Sequence, residues 1–137
     1  VAGPRTRPGR AWPTPGPIVA RFGEPGPGFP WPGLRIAAAP AAAVHAPGRG
    51  RVLHADRLGD VGGVLIIAHG DEYVSVLAGL ASLDVAVGDR VQVGQAIGRM
   101  AEGPAAGLAL HLELRRNGRP VDPLPWLGVR VAGDGHS

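Results

Sequence analysis

The chain has 137 residues, 45% of them apolar and 18% charged, which is enough to bury one core and too little for two ordinary domains. Its 14 basic residues are all arginines, giving a net charge of +3; none clusters with aromatics as on a nucleic-acid platform, so nucleic-acid binding is not expected. There is no cysteine and therefore no disulfide framework or thiol nucleophile, and no apolar run approaches the roughly 20 residues that span a bilayer.

The 23 glycines and 15 prolines interrupt every apolar run after a few residues, so short strands and turns are expected, and the fold class is all-β. Residues 1–17, VAGPRTRPGRAWPTPGP, show no apolar period and read as a Pro/Gly/Arg-rich linker with Arg5, Arg7 and Arg10 in solvent. The chain opens on Val1 and its one methionine is Met100, which reads as a fragment or processed product. The domain is expected to run over 18–128, followed by a tail over 129–137.

IVARFG predicts a short strand, the Pro- and Gly-dense 24–33 a loop, and 34–38 a second strand. Gly48 and Gly50 break the pattern before RVLHA resumes it as a longer strand. VLIIAH and EYVSVLA, separated by Gly70 and Asp71, predict an antiparallel hairpin. VAVGDRVQVGQAIGRM places Gly-Asp and Gly-Gln turns between very short strands. In LALHLELR the leucines 108, 110, 112 and 114 alternate with Ala109, His111, Glu113 and Arg115, so one face meets the core and the other points outward. Residues 116–119 are a turn, and in VDPLPWLG the prolines 123 and 125 block further pairing while Trp126 packs on the body.

These pieces, in this order, resemble the LytM or lysostaphin-type zinc peptidase domain over about 12–128. RFGEP is similar to that family's opening segment, PWPGLRIAAAP to its first metal-binding segment, VGDRVQVGQAIG to its Gly-rich hairpin and LHLELRRNGRPVDP to its closing strand. The resemblance implies a single antiparallel β-sheet or sandwich domain of the LytM (duplicated-hybrid-motif-like) type. In the family pattern H-x-G-x-D-I-A-A the His and Asp bind zinc; here those positions are Trp31 and Arg35. In its H-L-H triplet the second His is the third ligand, kept as His111, while the first is Ala109. Its Y-x-H-L motif maps to Leu77 and Gly79, so both catalytic histidines are replaced.

Chemistry agrees, because catalytic zinc needs about three protein ligands and an open position, and a lone imidazole beside a guanidinium does not supply them. No metal and no cofactor are expected, and no paired spacing links His45, His54, His69 or His136 into a second site. What is left is a groove, with an expected lining of Trp31, Leu34, Arg35, Val64, Leu77, His111, Glu113 and Arg115. Val64 and Leu77 are as compatible with the core as with that lining.

Degenerate members of this sort resemble the EnvC-type murein hydrolase activators, and the closing PVDPLPWLG is especially similar to that subgroup. The resemblance implies a non-catalytic protein of the bacterial periplasm or cell envelope whose partner is a zinc-dependent N-acetylmuramoyl-L-alanine amidase. Its groove would engage the regulatory helix of the amidase, with Arg115 and Trp31 as main contacts. The alternatives are a passive peptidoglycan-binding module and an active zinc endopeptidase with substituted ligands. A lipoyl or biotin carrier shares the VGDRVQVGQ style of hairpin but modifies a lysine, and this chain has none.

Overall fold

The structure, a computed structural model, describes residues 4–25, 32–59, 62–102 and 108–129. Eleven strands among these residues are β1 (Ile18–Ala20), β2 (Leu34–Ala37), β3 (Ala43–His45), β4 (Gly50–Leu58), β5 (Gly62–Gly70), β6 (Tyr73–Leu80), β7 (Ser82–Leu83), β8 (Arg90–Val91), β9 (Ala96–Arg99), β10 (Ala109–Arg116) and β11 (Arg119–Val121), followed by the helix α1 (Pro123–Leu127). The main sheet has the order β1-β2-β10-β6-β5-β4-β8, with β11 also paired to β10; β3-β9-β7 form a smaller sheet. All of these pairings are antiparallel.

Two tight turns set the register of the main sheet. The β5–β6 hairpin closes through Asp71 and Glu72, both at positive φ, and β10–β11 through Asn117 and Gly118, also both positive. Two central residues at positive φ match the right-handed twist of the flanking strands. The first turn lies one residue later than Gly70-Asp71, and the second falls within 116–119 as expected.

Within β10 the leucines turn inward as expected, while Glu113 on the other face is also buried, at 8% exposure. Leu110, Leu112 and Leu114 are at most 1% exposed and join Leu34, Ile36, Leu65, Ile67 and Leu77 in one core with Val44 and Ile97 of the small sheet. VDPLPWLG does end the strands, but as a helix. The Asp122 carboxylate accepts the Leu124 N–H at 3.0 Å, Pro123 occupies the first turn where no N–H is needed, and Gly128 closes the end at φ 78°. Trp126 is packed against the body at 8% exposure.

The expected linker is corrected by the fold. The Arg7 N–H donates to the Leu127 carbonyl at 2.9 Å, the Ala11 N–H to Pro47 at 2.9 Å, and the His45 N–H to Pro13 at 2.7 Å. Trp12 is 8% exposed and Thr14 is fully buried, while the Arg10 guanidinium lies 3.9 Å over the Trp126 ring rather than in solvent. Proline and glycine removed the periodicity, yet an extended segment can still bury a large indole and satisfy its backbone on the rim of a sheet.

Candidate functional site

Cross-strand register orders the outward face of the main sheet into three transverse rows. The first runs Arg35, His111, Ala78, Val64, Asp56 across β2, β10, β6, β5 and β4. The second runs Glu113, Val76, Ile66, His54, and the third Arg115, Val74, Ala68, Arg51, Arg90. Residues directly opposite in antiparallel strands point to the same face. The centre of the face is therefore a stripe of Ala78, Val64, Val76, Ile66, Val74 and Ala68, with charged or polar groups on both sides.

One bank of that stripe is a ladder on β10. His111 Nε2 lies 3.2 Å from Glu113 Oε2, and Arg115 Nε donates to Glu113 Oε1 at 2.6 Å, with Arg115 Nη1 donating to the Gly118 carbonyl at 2.9 Å. The Glu113 side chain is 11% exposed and Arg115's 41%. The hydrogen bond from His111 is the largest reason that the Glu113 carboxyl lies below the usual carboxylate range; burial opposes it, and Arg115 adds to the lowering. A buried carboxylate held between two hydrogen-bond donors fixes the rotamers of both neighbours.

Of the expected lining, Arg35, Val64, His111, Glu113 and Arg115 share this face. Val64 is buried within it, at 4% exposure. Leu34 and Leu77 do not line it: both are fully buried in the core, because each is a sequence neighbour of an outward residue, Arg35 and Ala78, and successive side chains in a strand point to opposite faces. Trp31 lies outside the described residues. Val74, Val76, Ile66 and Ala68 were missed, although V-S-V-L-A in β6 carries the alternation that marks two of them.

Gly79 and Ala109, onto which the resemblance maps the two catalytic histidines, abut. Gly79 is the extra residue of a bulge, since Gly63 pairs with Leu80 and Val64 with Ala78. Its φ is +98°, and a Cβ there would stand 2.9 Å from the Ala109 carbonyl oxygen. Gly79→His is therefore expected to cost about 2 kcal/mol from the backbone conformation alone. A urea melt as stable as the parent's would contradict the bulge.

Arg35 and His111 are cross-strand partners, so the mapped ligand positions converge, but one of them carries a guanidinium and the other gives its Nε2 to Glu113. No group of three His, Cys, Asp or Glu side chains gathers among the described residues. The described residues do not fit a zinc ion, which needs about three such donors.

An antiparallel sheet sharing one core with a smaller sheet, and carrying an aliphatic stripe between polar side chains on its other face, defines a domain of the zinc-peptidase fold. Residues 29–123 match Peptidase family M23, and the chain belongs to that family. It is 38% identical over 119 residues to the murein hydrolase activator EnvC of Escherichia coli K12, covering 85% of this chain and 28% of that protein. It is 38% identical over 131 residues to a lipoprotein NlpD/LppB homolog of Pseudomonas aeruginosa, covering 95% of this chain and 43% of the relative. The chain thus spans less than half the length of either. Among solved structures, a zinc-containing peptidase from Vibrio cholerae superposes with a TM-score of 0.72 at 27% identity, over 85% of this chain and 39% of that one.

Proposed function

We propose that this chain is a non-catalytic activator of cell-wall amidases in the bacterial periplasm or envelope. Its partner is a zinc-dependent N-acetylmuramoyl-L-alanine amidase, whose regulatory helix lies in the groove along β5 and β6. The observation that carries the reading is the exchange of metal-site chemistry for an aliphatic stripe beside the His111–Glu113–Arg115 ladder. A helix with an apolar face and an acidic flank fits such a surface, and the names of the relatives as a murein hydrolase activator and a lipoprotein accord with it.

The mechanism is a population shift. An amidase whose helix blocks its own active site is mostly closed, and a groove that binds only the displaced helix draws the population open. Moving such an equilibrium from 1:99 to 99:1 takes about 5.5 kcal/mol of preference for the open form. The partly exposed Ile66, Val74 and Val76 of the floor, with Arg115 beside them, are of the right kind to supply it, since burying apolar area contributes about 25 cal/mol per Å² before ordering costs.

The test uses purified, dye-labelled cell wall. The chain alone is expected to release no dye, an envelope amidase alone little, and the two together much more. Release by the chain alone would make it a peptidase, and capture on cell wall without stimulation of any amidase would make it a passive peptidoglycan binder.

A further inference from the structure

At the far end of the third row from Arg115, three arginines line one concavity. Arg51 and Arg90 are direct cross-strand partners where β4 meets β8, and Arg49 stands just before β4. All three are exposed. Together with Ala68, His69 and Gln92 they line a pocket of about 390 Å³. Like charges directly opposite one another in an antiparallel pair repel and destabilise it. Among the described residues no carboxylate forms an ion pair with any of the three. Asp89, beside Arg90, instead accepts the Ala86 N–H at 2.9 Å.

The pocket is also held in shape. The His69 Nδ1–H donates to the Arg49 carbonyl at 2.8 Å, tying the backbone that carries Arg49 to the edge of β5. Arginine is the only cationic side-chain type in the chain apart from histidine, and its planar fork meets the oxygens of a phosphate with two parallel hydrogen bonds. Three arginines lining one concavity, two of them opposed across a strand pair and none ion-paired with a carboxylate among the described residues, are the expected state of an anion site without its anion.

We propose that Arg49, Arg51 and Arg90 bind a phosphate-bearing ligand at the β4–β8 end of the third row, on the opposite side of the aliphatic stripe from Arg115. Three strand spacings, roughly 14 Å, separate Arg51 from Arg115 along the row, and Ala68 and Val74 lie between them. One phosphate chemistry has two sources, a phospholipid headgroup and a soluble phosphate.

The experiment is an amide NMR titration of the whole chain with inorganic phosphate and pyrophosphate at millimolar concentrations. It is joined to sedimentation with phosphatidylglycerol and phosphatidylcholine vesicles and repeated with the R51Q/R90Q double variant. Saturable shifts confined to 49–51 and 90–92 are expected, weakened about tenfold or more in the variant. The variant's melting midpoint should be equal to or above the parent's, since a repulsion has been removed. Sedimentation with phosphatidylglycerol alone, reversed by free phosphate, identifies the headgroup as the source; shifts without sedimentation identify a soluble phosphate. Shifts that the double variant leaves intact, no saturable shift with no sedimentation, or equally tight binding of succinate would overturn the proposal.

Discussion

Arg115→Glu is expected to abolish amidase stimulation while leaving a folded domain. Arg115 spends its Nε on Glu113 and one Nη on the Gly118 carbonyl, so its remaining donors and most of its charge face outward from a side chain that is 41% exposed. Removing one partner of an interfacial charge pair costs about 2–5 kcal/mol, a loss of roughly thirtyfold or more in affinity, and reversal adds repulsion to that loss. The same substitution sets a second carboxylate two residues from Glu113 on one face, so the domain itself should melt somewhat lower. Arg115→Gln separates these effects, because it lacks the repulsion between the two carboxylates but still gives up the charge. Arg116→Glu is the control, since Arg116 lies toward Tyr73, its guanidinium 5.2 Å from that ring, on the other side of β10. The placement of the helix fails if folded Arg115→Glu stimulates the amidase as well as the parent does.

The outward bank of this groove was legible and its floor was not, for a physical reason. In LALHLELR one side of the strand is core and the other open, so His111, Glu113 and Arg115 show in the pattern directly. VLIIA is apolar throughout because the outward residues of this strand are aliphatic as well, Val64 at 4% exposure beside the fully buried Leu65, and a strand apolar on both faces carries no alternation to read. Assigning Leu34 and Leu77 to the groove required knowing which β2, β6 and β10 residues stand opposite each other, and that register is set by pairings between segments up to about eighty residues apart. The bulge at Gly79 shifts the parity of β6 once more. Helix α1 left local marks in Asp122-Pro123 and Gly128, but five residues are too short to show a 3.6 period.

Below pH 6.5 the domain should lose stability in a window that one side chain defines. His69 has its pKa lowered from 6.5 to about 4, chiefly by burial, with a smaller lowering from the Arg10 charge and a partial offset from its hydrogen bond to the Arg49 carbonyl. Its neighbours fix the neutral form. Nδ1–H donates to that carbonyl at 2.8 Å, which leaves Nε2 to accept from the fully buried Ser75 hydroxyl at 2.7 Å. The ring packs 4.9 Å from that of Trp126, over which Arg10 lies. Because the folded ring stays neutral where the unfolded one takes a proton, the stability is whole above about 6.5 and is lost as pH falls toward 4. The loss reaches about 2 kcal/mol by pH 5 and roughly 3 kcal/mol once both states are protonated. Glu113, whose carboxyl is lowered, acts in a separate window, since its contribution holds above the ordinary carboxylate range and fades only below it. Urea melts of the parent and His69→Gln at pH 8 and pH 5 distinguish the two, with the variant weaker at pH 8 but nearly flat across the interval. A parent curve as flat as the variant's would mean that His69 is already charged, or is readily hydrated, in the fold. Protonation would also set a positive ring beside Arg10 and break the acceptor that Ser75 needs, so the first region to loosen in acid should be the contact of the N-terminal segment with α1.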